Sequence, residues 1–256
     1  MNVADVITCV LAREVRTSDV VGVGLGTPLA LCACLAAQRL DARGATVLVG
    51  GAVSPRATVD ECLRHEVAGR TPGYVPHLDT MDMAERQAMT LQFLRPAQVG
   101  VDGSANTSRV EAGGRVVRFP GGLALADVPN LMPRIVLYHT AHEPRALPSR
   151  MGFRTGAGGG IERAGYRALG PTKLVTDLCV IAFSPGGARL ESVHPGVSVD
   201  EVVAATGFEL RSDDPTETPP PSDAELAALD AVDPNRRRDI EIRRRRDAMT
   251  EGSSRA

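Results

Sequence analysis

The sequence predicts an α/β fold, a mostly parallel sheet with flanking helices. Two observations predict it. The first is the order of elements near the start. "DVVGVGLG" (19–26) is a β-branched run that breaks into glycines, "LALCACLAAQRL" (29–40) follows with helical composition, and "ATVLVGG" (45–51) is a second apolar run. Strand, glycine loop, helix, strand is the order of a βαβ unit, whose two strands lie parallel. The second is the series of short apolar runs downstream: "AQVGVD" (97–102), "RVVRFP" (115–120), "RIVLYHT" (134–140), "KLVTDLCVIAF" (173–183) and "ARLESVHP" (188–195). Glycine clusters at 113–114, 121–122, 156–160 and 186–187 punctuate them, as strands and turns require.

Each element has its own warrant. Val3, Val6, Ile7, Val10, Leu11 and Val15 recur at helical spacing, so residues 3–16 form a helix with one buried face. Pro28 suits the first turn of the next helix, where its missing N–H removes no bond. Residues 56–96 are mixed, and Met81, Ala84, Ala88, Leu91 and Phe93 give 81–94 a helical apolar face. "SVDEVVAATGF" (198–208) is a helix with Ser198 as cap, Glu201 three positions on and Gly207 as stop. These elements make one domain over 1–212. Residues 213–256 follow as a second unit: a Pro-rich linker (213–223), the short helix "DAELAALDAV", and an arginine-rich tail with Arg236–Arg238 and Arg243–Arg246. The tail reads as a solvated helix, since it lacks aromatic partners for nucleic acid. No internal repeat is present.

Composition narrows the function classes. With 43% apolar residues in 256, the chain is globular. It has no Trp, three Tyr and five Phe, so Val, Leu, Ala and Ile build the core. A net charge of -2 gives no global attraction to nucleic acid or acidic membranes. The start lacks the basic residues and continuous apolar run of a signal peptide, and no stretch reaches the ~18 apolar residues of a membrane span. Five cysteines, odd in number and without CxxC spacing, imply a reduced, cytoplasmic setting and packing as small hydrophobes. His139 and His142 sit three apart on a strand, where side chains face opposite ways, so a metal site is not expected. His77 and Tyr74 fall in a loop and Arg154 in a glycine-rich turn read as mobile; none of these three is assigned a role.

"GVGLGTP" (22–28) places Gly22, Gly24 and Gly26 between a strand and a helix start, whose N–H groups suit an anion or a carbonyl oxygen. Thr27 stands where a dinucleotide loop needs its third glycine, so that motif is incomplete. On the residues alone, a structural turn and a ligand loop remain equally open.

Four stretches together carry a resemblance: "GVGLGTPLALCACLA", "AQVGVDGSANTS" (97–108, with Gln98, Val99, Gly103 and Asn106), "RFPGGLALADV" (118–128) and "PGVSVDEVVAATGFEL" (195–210). From about residue 3 to the "AVDPNRRRDIEIR" end, the chain resembles the beta (B-type) subunits of the family I CoA-transferases of the glutaconate and 3-oxoacid type. The resemblance implies an open CoA-transferase-like (NagB/RpiA-like) α/β sheet domain that pairs with an alpha (A-type) subunit, with the active site at their interface. In that family the beta subunit supplies a glutamate, at the end of the second strand, that forms a thioester with CoA. The matching residues here are Val49, Gly50, Gly51 and Ala52, so Gly50 stands at the nucleophile position and has no carboxylate to offer. The family's Asp after Gln-Val is also missing, as Gly100, and the turn after "RFP" is shorter than the family's. A branch with the same departure, the steroid ring-opening hydrolases, draws its carboxylate from the A-type subunit.

The resemblance implies an enzyme subunit acting on an acyl-CoA thioester, by hydrolytic C–C or thioester cleavage rather than through a glutamyl-CoA intermediate on this chain. Gly24, Gly26, Thr27, Gly50, Gly51, Asn106, Gly121 and Gly122 are the expected substrate-binding residues; no catalytic residue is assigned. CoA enters as substrate, with no cofactor, no metal, and no nucleic-acid or membrane partner. The alternative is a non-catalytic scaffold for an A-type partner; a nucleotide-binding module ranks third.

Overall fold

A computed structural model describes residues 2–24, 26–158, 170–184 and 186–242. The chain opens with α1 (Val3–Arg13), β1 (Val20–Val23), α2 (Pro28–Arg39), β2 (Thr46–Val49) and β3 (Ala52–Val53). Two helices, α3 (Val59–Leu63) and α4 (His77–Glu85), precede β4 (Leu91–Leu94). Then come β5 (Gln98–Val99), β6 (Ala105–Asn106), β7 (Arg109–Ala112), β8 (Arg115–Arg118), α5 (Val128–Leu131) and β9 (Ile135–Tyr138). The last part holds β10 (Pro171–Val175), β11 (Cys179–Ser184), β12 (Gly187–Val193), α6 (Val199–Ala205), β13 (Thr216–Glu217), α7 (Asp223–Val232) and a 3-10 turn, Arg237–Glu241.

Nine strands form one sheet in the order β13-β12-β11-β10-β9-β4-β1-β2-β3. Its centre, β2-β1-β4-β9-β10, is parallel throughout, with antiparallel pairings at β2–β3, β10–β11 and β11–β12. The centre of the sheet is buried on both faces, which is why its strands read as nearly continuous apolar runs, whereas the edge strand β13 is exposed. Val21, Val47, Leu91, Phe93 and Val136 pack under Ile7 and Leu11 of α1 and Leu29 and Ala33 of α2. Their strand neighbours Leu48, Ile135 and Leu137, with Leu174 and Ile181, face the opposite layer, where Leu147 and Val202 lie. This is the period-two alternation of a pleated strand. From Pro28 to Ala37, α2 is buried all round, as its Ala, Leu and Cys content requires.

Three expectations change. Residues 81–94 are not one helix. The helix ends at Glu85, Gln87 takes a left-handed φ of 58°, and Leu91–Leu94 becomes a central strand with Leu91 and Phe93 buried. "RVVRFP" does form a strand, β8, but it pairs only with β7 in an exposed ribbon outside the main sheet. The segment after residue 212 packs onto the body as far as Ile242. There β13 pairs with β12, and Leu229 and Val232 of α7 sit with Leu31 and Leu35 of α2. Arg238 is 0% exposed, not solvated. Its guanidinium donates to Asp5 Oδ1 at 2.8 Å, Asp230 Oδ1 at 2.8 Å and Asp233 Oδ2 at 3.1 Å. A buried cation requires such partners. Arg243–Arg246 lie outside the described residues. No helix among the described residues is long and apolar enough to cross a membrane.

Candidate functional site

From β1 the chain crosses to β2 on one side, then returns to β4 on the other. Such a reversal leaves a crevice at the carboxyl ends of parallel strands. A cleft of about 570 Å³ lies there, lined by Gly24 after β1, Gly50 and Gly51 after β2, and Arg95 after β4. Leu48, Val75, Met81, Met89, Phe93 and Leu125 give it an apolar floor; His65, His77, Thr80, Gln92 and Thr107 bring polar groups. No Asp or Glu lines it among the described residues.

Gly50 and Gly51 form the two-residue turn between β2 and β3, with φ of 54° and 88°. Both values are left-handed, as a tight hairpin of this length demands. The two glycines differ in what surrounds them. A Cβ on Gly51 would stand 2.7 Å from the Val75 carbonyl oxygen, too close for any real contact. A Cβ on Gly50 would meet only the His65 ring, at 3.7 Å. Gly51 is therefore fixed by geometry, whereas Gly50 leaves room for a side chain that is not there.

The start of α2 borders the same cleft. Thr27 Oγ1 donates to the Gly24 carbonyl at 2.6 Å and closes the loop. Gly26 has a φ of 70° and lines a smaller pocket of about 70 Å³, shared with Gly24, Thr27, Gly50, Cys62 and His65. The anion seat expected at this helix start is already filled in part by the chain itself. Glu241 Oε1 accepts the Leu29 N–H at 2.8 Å, and Arg95 Nε pairs with Glu241 Oε2 at 3.0 Å. Burial lifts the Glu241 carboxyl above the usual carboxylate range, against the pull of Leu29 N–H, Arg95 and Tyr138.

Gly22, inside β1, has no side chain because Gln92 and Met89 fill its place; a Cβ would fall 2.3 Å from Gln92 Oε1. Thr107 Oγ1 is buried without a hydrogen-bond partner, the one such side-chain atom among the described residues. A buried hydroxyl left unpaired costs about 1–3 kcal/mol, so a ligand or water oxygen would relieve it. Gly121 and Gly122 also line the cleft. The Gly121 N–H is spent on the Thr107 carbonyl at 3.0 Å, so it is not a free donor. Asn106 does not line the cleft. It is fully buried, donates to Gln98 Oε1 and Arg109 O, and accepts from Ser108 N and Arg109 N. Its side chain is used up in holding the turn.

No protein-family model matches the chain. The beta (B-type) chain of 3-oxoadipate CoA-transferase from Pseudomonas knackmussii is 30% identical over 151 residues, covering 55% of this chain and 57% of that protein. The match thus spans little more than half the length of that relative. Among solved structures, the decarboxylase AibA/AibB matches at 25% identity with a TM-score of 0.84, over 94% of this chain and 98% of that one. This chain has the family I CoA-transferase fold. Glutaconate CoA-transferase from Acidaminococcus fermentans shares that fold, with a TM-score of 0.80 at 20% identity over 95% of this chain and 98% of that one.

The stretches that resemble the CoA-transferases sit partly outside the cleft and act as latches. Thr206 Oγ1 contacts His142 Nε2 at 2.8 Å, and a Cβ on Gly207 would strike the Leu147 carbonyl at 2.4 Å. Gly103, with a φ of 77°, lies against Phe183 and Pro171. At Gly100, where the family carries Asp, Asp102 and Ser104 already fill the space.

The other sequence candidates are structural. His142 is buried between Thr176 Oγ1 and Thr206 Oγ1, and burial pushes it down to about 4. His139 Nδ1 accepts the Ala141 N–H. No group of three or more potential metal ligands occurs among the described residues. Arg154 pairs with Asp102 at 3.3 Å, and the adjoining Gly156 bridges to Ala105, so that turn is anchored where it is described; Gly159 and Gly160 lie outside the described residues. All five cysteines are buried and free, and burial pushes Cys9 and Cys179 up to about 12 and Cys62 to about 11. Such thiols are poor nucleophiles. His77 does line the cleft, from the first residue of α4, while Tyr74 stays 60% exposed on a bridge to Ala52. His65, Thr80, Gln92, Arg95 and Thr107 are the polar cleft residues that sequence reasoning missed.

Proposed function

We propose that this chain is the B-type subunit of a two-subunit enzyme that acts on an acyl-CoA thioester without a glutamyl-CoA intermediate on this chain. One observation carries the reading: the corner at Gly50 is open, and no carboxylate of the described residues lines the cleft around it. A thioester relay needs that carboxylate. Hydrolytic cleavage of a C–C or thioester bond does not, because water is the attacking group. The apolar floor suits an acyl chain. The backbone N–H groups of Gly24, Gly26, Gly50 and Gly51, with the Thr107 hydroxyl, are the proposed donors to a developing oxyanion.

A partner of A type completes the cleft. Two large apolar residues support this: Leu123, which lines the cleft, is 86% exposed, and Leu78, beside His77, is 81% exposed. The names of the relatives, one a B-type chain and the other the paired AibA/AibB, point the same way. CoA is substrate, no resident cofactor is invoked, and five free thiols favour a reduced cytoplasm.

The test co-expresses the chain with an A-type partner and incubates the complex with acetoacetyl-CoA in ¹⁸O-water. The reading expects ¹⁸O in a carboxylic acid product and no CoA adduct on this chain. A thioester on any residue of this chain would sink it. Activity and binding unchanged by Gly24→Val would favour the scaffold role instead.

A further inference from the structure

We infer that His65 is the proton-transferring residue of this cleft, standing beside the open corner at Gly50. The inference rests on the reading of the cleft as an acyl-CoA site. It starts from the short helix α3. Thr58 and Glu61 close a capping box at its start. At its end the Glu66 N–H bonds the Glu61 carbonyl at 2.8 Å and the His65 N–H bonds the Cys62 carbonyl at 3.1 Å. These two bonds are the Schellman termination, whose left-handed residue is usually glycine. Here that residue is His65, with a φ of 59°.

A left-handed φ is uncommon for residues other than glycine, although histidine tolerates it better than most, and such backbone gathers at functional sites. Packing does not account for it, because His65 is exposed and its ring has no hydrogen-bond partner among the described residues. What the position does achieve is direction. The ring edge is held at the β2–β3 corner, with Cε1 3.7 Å and Nδ1 3.9 Å from the Cβ that Gly50 lacks. The ring lines both the main cleft and the smaller pocket at the start of α2. No ring nitrogen of His65 is engaged among the described residues, so the imidazole can meet a substrate or a water in the pocket it shares with Gly24, Thr27 and Gly50.

The chemistry follows from an imidazole that carries a proton either way. Neutral His65 takes a proton from water as the water oxygen bonds to the carbonyl carbon of the substrate. The carbonyl π pair moves onto its oxygen, toward the glycine N–H groups. The imidazolium then returns the proton to the departing group, the CoA sulfur or the cleaved carbon, as that bond breaks and the C=O reforms. Water is consumed and nothing is oxidised or reduced.

The experiment uses the complex with the A-type partner, acetoacetyl-CoA as probe, and His65→Gly and His65→Asn, both suited to a left-handed backbone. The expected result is a loss of 100-fold or more in kcat with KM within about threefold, in line with general acid–base catalysis. The melting temperature of His65→Gly should equal or exceed that of the wild type, and added imidazole should restore turnover to it. Wild-type turnover with both variants unimpaired would overturn the role of His65 and leave the acyl-CoA reading standing. Activity lost together with melting temperature, and not restored by imidazole, would also overturn it. A wild-type complex that neither binds nor turns over acetoacetyl-CoA would overturn the acyl-CoA reading and this inference with it.

Discussion

Glu241 and Leu29 lie 212 residues apart in the chain, yet the Glu241 carboxylate accepts the Leu29 N–H at 2.8 Å. Pro28 has no N–H, so Leu29 offers the first donor of α2 that needs a partner. The same carboxylate accepts from Tyr138 Oη at 3.0 Å, and Thr140 Oγ1 donates to the Glu241 carbonyl at 2.7 Å. The end of the described chain is thereby locked to the helix that borders the cleft. Glu241→Ala removes the acceptor from two buried donors and is expected to lower stability by about 3 kcal/mol, at roughly 1–3 kcal/mol per unsatisfied group. Glu241→Gln keeps a neutral acceptor and is expected to lose about 1 kcal/mol. Urea unfolding of the three proteins checks both values.

His142 makes stability depend on pH in a stated direction. Burial, with smaller contributions from His139 and His194, holds its pKa at about 4 against an ordinary 6.5. A base with a depressed folded pKa binds its proton more readily when unfolded, so its contribution is complete above pH 6.5. It is lost as pH falls toward 4. At 1.36 kcal/mol per unit the loss approaches about 3 kcal/mol. His194 is lowered by burial too and acts in the same sense. Unfolding free energies at pH 7.5 and 4.5 should therefore diverge more for the wild type than for His142→Gln. Equal differences would remove His142 as the cause.

The parts of the fold that were legible are those with chemical punctuation. Gly24, Gly26 and Pro28 mark a strand end and a helix start, and Ser198 with Gly207 brackets α6. β4 was hidden because no Gly or Pro separates it from α4; the break falls at Gln87, and Leu91 and Phe93 fit a helical and an alternating pattern equally well. Losing β4 also hid Arg95 and Gln92, which stand in the cleft only because that strand lies beside β1. His65 was hidden for a different reason, since nothing local distinguishes a histidine at a helix end from any surface histidine. Asn106 erred the other way: a shared motif marked it, and the motif holds a turn. Similarity between chains records what keeps a fold together as readily as what reacts in it.

The two glycines of the β2–β3 turn should respond unequally to one methyl group. Gly51→Ala places a Cβ 2.7 Å from Val75 O at a φ of 88° and is expected to cost about 3 kcal/mol, as strained backbone and a forced shift combine. Gly50→Ala meets only ordinary contacts and is expected to cost about 1 kcal/mol, the left-handed penalty alone. Thermal unfolding of both variants checks the order, and equal losses would contradict the difference in surroundings.

Thr107 lines the cleft and carries a buried hydroxyl without a protein partner. Thr107→Val keeps the shape and removes the group. In the free chain the change should be neutral or stabilising by up to about 1 kcal/mol, because no bond is lost. In the complex with an A-type partner it should weaken acetoacetyl-CoA binding about fivefold, since one hydrogen bond is worth about 1 kcal/mol. Calorimetric titration reads the second effect; unchanged affinity would mean that the hydroxyl does not meet the ligand.

Gly50→Glu tests what the open corner leaves out. The space beside His65 admits a side chain there, so the variant should fold with a loss of about 1–2 kcal/mol from its left-handed backbone. Its carboxylate would project into a cleft that holds no other acid among the described residues. A carboxylate so placed can attack a bound thioester and release CoA, then exchange the resulting anhydride for an enzyme thioester. Intact-protein mass spectrometry of the complex with acetoacetyl-CoA should show a CoA adduct on the variant chain, removable by hydroxylamine, and none on the wild type. Because water is the competing nucleophile, ¹⁸O incorporation into product should fall in the same variant. An adduct of equal yield on the wild-type chain would place a nucleophile elsewhere on it and remove the significance of the glycine.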